Sequence, residues 1–148
     1  MAEALSQRAG VCDDAPPEFT EGGRVATLSQ LVLTLAQTDA QKTLKLVGVS
    51  YDYTLTCTAV ECERHLSFDV SVDILGDDLV RDEVLAAGVD RHIVECDTGP
   101  IEMHRSFIVG QSLLDEDIGT DEIKVRIWAR DNAGGETSAD TGIVRGTF

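Results

Sequence analysis

The sequence predicts an all-β chain: an antiparallel β-sandwich of about seven strands with at most one short helix. Three observations predict it. In "CERHLSFDVSVDIL", residues 62–75, Leu66, Phe68, Val70, Val72 and Ile74 point one way and Ser67, Asp69, Ser71 and Asp73 the other. Only a half-buried strand explains that alternation. "IKVRIWAR" repeats it, with Ile123, Val125, Ile127 and Ala129 on the apolar side. The Gly, Asp and Pro residues fall between such stretches, where turns need them.

Composition narrows the class. At 148 residues the chain is one domain by size, long enough to bury a core without staples. Aromatics make up 5%, so Val, Leu and Ile must fill that core. No apolar run approaches the ~20 residues of a membrane helix. "MAEALSQRAG" lacks a basic start followed by an apolar run, so no secretory signal is expected and a cytoplasmic place, or one within an assembly, is favoured. The net charge is -15, from 27 acids against 12 bases. Such a surface repels nucleic acid and anionic headgroups, so neither nucleic acid nor membrane is an expected partner. Cys12, Cys57, Cys62 and Cys96 form no CxxC pair. With no export signal and no need of bridges, four free thiols are expected, with Cys57–Cys96 or Cys62–Cys96 as the bridges if the chain is exported.

The elements follow in order. Residues 1–24 keep no period and hold two of the three prolines, so they read as a flexible tail before a single domain over 25–148. Phe19 is the only anchor that tail offers to a neighbouring subunit. Residues 25–37 fit both a strand and a helical stripe, and their Thr and Val content favours strand. Residues 43–60 read as a strand in which Gly48 switches the inward face from Leu44 and Leu46 to Tyr51, Tyr53, Leu55 and Cys57. Asp52, Thr54, Thr56 and Thr58 then face water. The short "VECE" link predicts a hairpin between this strand and 62–75. Leu79, Val80, Val84 and Leu85 suit one or two helical turns, stopped by Gly88. "HIVEC" and "IEMHRSFIVGQSLL" are strands separated by the turn "DTGP", and "DEDIGTDE" is an acidic loop. "DNAGGE" is a hairpin turn in which Asn132 and Gly134 can take positive φ, and "TSADTGIVRGTF" returns as the last strand.

The final hairpin, "IKVRIWARDNAGGETS", resembles the last two strands of immunoglobulin-like and fibronectin-type modules, many of which end an alternating strand in a similar Asp-Asn-Ala-Gly turn. The resemblance covers about twenty residues. It departs from the immunoglobulin pattern because Trp128 follows every cysteine and no tyrosine stands at the usual corner. It implies a sandwich fold and nothing about activity.

Four site readings can be weighed. Cys62, His65, His92, Cys96 and His104 carry zinc-ligand chemistry. Yet Cys62 and His65 have opposite parity on a strand, so buried cysteines and surface histidines are the plainer reading. Calcium needs six to eight converging oxygens. The acids Asp77, Asp78, Asp82 and Glu83, and Asp115, Asp117 and Asp121, are weak candidates without EF-hand spacing; no cofactor is expected. Cys96 with His92 or His104 can be drawn as nucleophile and base, but no GxSxG, HExxH or phosphate-cradling loop is present, so no catalytic residue is assigned. The fourth reading is an interface. With Ile123 to Ala129 facing in, Lys124, Arg126, Trp128 and Arg130 form an outward ladder, and Trp and Arg concentrate at interface centres. The expected function is therefore a non-enzymatic structural or protein-binding module, self-associating or accessory to an assembly. A cation-binding module is the alternative, and a small enzyme is a third.

Overall fold

The computed structural model describes residues 26–77, 82–114 and 121–146. The expected tail, residues 1–24, lies outside them, as do Leu79, Val80 and the weak cation candidates Asp78, Asp115 and Asp117. The strands are β1 (Thr27–Ala36), β2 (Leu46–Thr56), β3 (Ser67–Asp77), β4 (Asp82–Glu95), β5 (Ile101–Gly110), β6 (Asp121–Asp131), β7 (Glu136–Asp140) and β8 (Val144–Gly146). All their pairings are antiparallel. They form a three-stranded sheet ordered β1-β2-β5 and a five-stranded sheet ordered β4-β3-β6-β7, with β8 also on β6. The chain is thus all-β, as the alternation predicts.

The two sheets share one core. Val47, Val49, Tyr51, Tyr53 and Leu55 of β2 meet Phe68, Val70, Val72 and Ile74 of β3 and Ile123, Val125, Ile127 and Ala129 of β6, all buried. The parity read for 66–74 and 123–129 therefore holds from Phe68 onward, while Leu66 precedes its strand. Segment 25–37 is a strand, as its composition favours.

Several expectations are corrected. Three short helices are described, not one at most: α1 (Asp39–Leu44), α2 (Ala59–Glu63) and α3 (Gln111–Leu114). Each of the first two is held by a reciprocal capping box, Thr38 with Gln41 and Thr58 with Glu61. The helical turn expected around Val84 and Leu85 is part of β4 instead. There the edge of β3 supplies backbone partners that an isolated turn lacks. Nor are β2 and β3 a hairpin: α2 carries the chain from one sheet to the other. Gly48 is no switch, because β2 keeps its register with β5 through it, Val47 and Val49 on either side are both buried, and Leu44 belongs to α1. Its lack of a side chain serves packing, since a Cβ there would stand 3.3 Å from the Ala36 carbonyl oxygen. Thr54 and Thr58 are buried, not wet. Thr54 donates to the Gln30 side chain, and the Thr58 hydroxyl accepts from the Glu61 N–H. In the β6–β7 turn Gly134 takes positive φ and Asn132 does not.

The expectation of free thiols fails as well. Cys57, just after β2, is bonded to Cys96, just after β4, with Cα atoms 5.9 Å apart. Cys62 is disulfide-bonded too, and no described cysteine is free. Chain length shows that a bridge is not required; it does not show that none forms. The Cys57–Cys96 bond ties the central strand of one sheet to an edge strand of the other.

Candidate functional site

Alternation along β6 buries every odd residue from Asp121 to Ala129 and turns Lys124, Arg126, Trp128 and Arg130 to the outer face of the five-stranded sheet. The outward ladder thus exists, but it is not bare. Lys124 Nζ lies 2.8 Å from Asp82 and 3.0 Å from Asp140. Arg126 donates to both oxygens of Asp140, at 2.7 and 3.0 Å, and reaches Asp82 at 3.4 Å. These partners come from β4 and β7, on either side of the β3–β6 pair. The hydrogen bonds from Arg126 and Lys124 hold the Asp140 carboxyl below the usual carboxylate range, against the opposing effect of burial.

The other end of the ladder is more open. Trp128 stands between Ser71 of β3 and Ser138 of β7 in register, two small neighbours that leave room beside the indole. Its Nε1–H donates to Asp73 at 2.9 Å. The other Asp73 oxygen accepts from the Gly88 N–H, also at 2.9 Å. Gly88 sits where β4 bulges, between the pairs Val72–Asp90 and Ile74–Ala86, with φ of 61°. One carboxylate therefore fixes both the indole and the bulge. Around them Asp69, Ser71, Gly88, Arg91, Trp128 and Arg130 line a shallow pocket of about 210 Å³. Arg91 pairs with Asp69 at 2.5 Å and Arg130 with Glu136 at 2.6 Å. Both guanidiniums stay open to solvent, with side chains 65% and 62% exposed, against 13% for Lys124. The ladder thus divides into a locked half and an accessible half.

A second polar cluster lies between the sheets and was not singled out from the sequence. Asp90 of β4 accepts from the Tyr51 hydroxyl at 2.6 Å and from Arg105 Nε and Nη2 at 2.8 and 3.1 Å. Beside it the Tyr53 hydroxyl and His92 Nε2 share a hydrogen bond of 2.5 Å. The hydrogen bond from Arg105 pulls the Asp90 carboxyl below its ordinary value, and burial, followed by the bond to Asp90, pushes the Tyr51 phenol well above its own. Burial and then the Arg105 charge lower His92, whose Nδ1 is buried without a partner. The available signal was Arg105 itself, a cation on the apolar parity of β5 between Met103 and Phe107.

A pH dependence follows. The pKa of His92 is lower in the fold than in the unfolded chain. Below the ordinary value of about 6.5 the unfolded state takes up a proton first, so stability falls as pH drops from there toward the folded value. Urea unfolding between about pH 7 and pH 5 is expected to show this slope, and His92→Gln to flatten it. A slope unchanged in that variant would assign the effect to other groups.

The remaining candidates do not converge. Cys96 is in a disulfide and offers no thiolate to His92 or His104; His104 pairs with Asp52 on the outer face of the three-stranded sheet. Asp77 ends β3, and Asp121 is buried at the start of β6. Among the described residues no group of three or more His, Cys, Asp or Glu side chains is placed to hold a metal, and no helix is long and apolar enough to cross a membrane.

Fold and site define a small all-β domain of two antiparallel sheets. No protein-family model and no curated protein matches the chain. Among solved structures it is similar to a protein described as ApaA from Bordetella pertussis, at 11% identity and a TM-score of 0.43, over 84% of this chain and 96% of that one. It is also similar to a structural-genomics target, SoR45, at 9% identity and a TM-score of 0.41, over 84% and 87% of the two chains. Likenesses this distant carry nothing about activity or partners.

Proposed function

We propose that this chain is a non-catalytic, immunoglobulin-like β-sandwich module that works in an oxidising compartment and holds a protein partner through the accessible half of its ladder: Trp128 and Arg130, joined by Arg91. The sheet orders β1-β2-β5 and β4-β3-β6-β7 support the sandwich reading. The Cys57–Cys96 bond supports the compartment, because such bonds persist where thiols are not kept reduced. The observation that carries the binding reading is the pocket in which two exposed guanidiniums flank an indole held by Asp73. Exposed ion pairs contribute little to stability, so Arg91 and Arg130 can exchange Asp69 and Glu136 for carboxylates of a partner at small cost. Lys124 and Arg126, each shared between two carboxylates, serve the fold.

Trp128 is the only tryptophan, so its fluorescence reports on the pocket directly. Titration with an acidic peptide in moderate salt is expected to shift the emission saturably. The Arg91→Ala/Arg130→Ala variant should weaken that binding by about tenfold or more, since each charge-assisted hydrogen bond contributes about 1.5–3 kcal/mol. An emission that does not move, or moves equally in the variant, would reject the contact.

A further inference from the structure

We infer that the free edge of β5 is a self-association surface, at which two copies of this chain join β5 to β5, antiparallel, about a two-fold axis at Ser106. The inference goes beyond the Trp128 reading and rests on other residues.

The sheets end in four edges, and three carry features that discourage further pairing. In β1 the register shifts between Ser29 and Val32, with Gln30 at a φ of 52°. The register of β4 shifts twice, and its Gly88 N–H is turned to Asp73. Only five residues form β7, and the three of β8 follow as a separate piece. By contrast, β5 pairs with β2 in unbroken register from Gly110 to Ile101, with no bulge and no proline. Among the described residues no strand pairs with its far side. An inward charge is a common edge defence, but here Arg105 is already held by Asp90.

The occupant follows from charge and register. A chain of net charge -15 repels its own copy over most of its surface. Across its ten residues β5 holds one acid, Glu102, balanced by Arg105, with His104 between them. A two-fold axis at Ser106 sets Glu102 opposite Gly110, Met103 opposite Val109, His104 opposite Ile108 and Arg105 opposite Phe107. No like charges then face each other. Ile108, 58% exposed, gains a neighbour, as do Met103 and Phe107, which are only partly buried because the sheet stops at β5. Centring the axis on Arg105 would instead set two guanidiniums face to face, which like-charge repulsion disfavours.

The test uses the full chain. Sedimentation over a range of concentrations should show a monomer–dimer equilibrium that salt strengthens, because salt screens the net repulsion. Ser106→Cys places two thiols across the axis and should give a covalent dimer on air oxidation. Thr34→Cys, exposed on the outer face of β1, should not. Ser106→Asp should weaken association about fivefold, since like charges directly opposite cost up to about 1 kcal/mol. A monomer at every concentration, or crosslinking of Thr34→Cys as fast as of Ser106→Cys, would overturn the inference.

Discussion

Replacing Cys57 and Cys96 together by serine is expected to lower the unfolding free energy by about 4 kcal/mol. The two residues are 39 apart in sequence, and the bond removes the loop-closure entropy of that length from the unfolded chain. The native geometry needs little rearrangement, because Cys57 and Cys96 follow strands that the fold itself brings together. The cost therefore falls almost wholly on the unfolded state. Guanidinium unfolding of the variant against the parent, both without reductant, measures it. For a chain of this size the loss corresponds to a melting temperature lower by about 10 °C. A difference below about 1 kcal/mol would show that the unfolded chain is already constrained elsewhere, for instance by the bond at Cys62.

Asp90→Ala is expected to cost about 3 kcal/mol, more than an ordinary surface acid would. The substitution removes the acceptor of three hydrogen bonds at once. It leaves the Arg105 guanidinium half-buried without its counter-charge and the Tyr51 hydroxyl buried without an acceptor. Tyr51→Phe removes one donor and leaves Asp90 with Arg105, so about 1 kcal/mol is expected there. The contrast between the two, measured by denaturant unfolding at neutral pH, separates the network from the packing of the ring. Equal losses would mean that the ring, and not the carboxylate, is what the cluster needs.

Much of the fold was legible where one face of a strand is buried and the other is wet. The runs Phe68–Ile74 and Ile123–Ala129 state their parity openly, and the outward placement of Trp128 follows from it. The connections were less legible. Thr38-x-x-Gln41 and Thr58-x-x-Glu61 are capping-box signatures, yet five or six residues are too few for an apolar stripe to confirm a helix. The β4 segment misled for a different reason. As an edge strand with a bulge at Gly88, it breaks the two-residue period that identifies a strand. The carboxylates that neutralise Lys124 and Arg126 were illegible as well, because Asp82 and Asp140 become neighbours only through sheet order. The Cys57–Cys96 bond was legible only as one of two pairings, because the choice depends on β2 and β4 ending side by side although they lie in different sheets.

The pairing of β2 with β5 also governs how the chain reaches its fold. β1 with β2, β3 with β4, and β6 with β7 are neighbours in sequence, so each pair can zip from a short connection. β5 must instead find β2 across the whole β3–β4 segment, joining Leu46 to Gly110 at one end and Leu55 to Ile101 at the other. Such distant pairings make an all-β chain slow to fold. Until β5 arrives, one side of β2 is an open edge carrying Val47, Val49, Tyr51 and Tyr53, the strand most prone to pair with the wrong chain. Dilute refolding, with the Cys57–Cys96 bond already formed to shorten the search, is therefore the condition under which this protein should recover in highest yield.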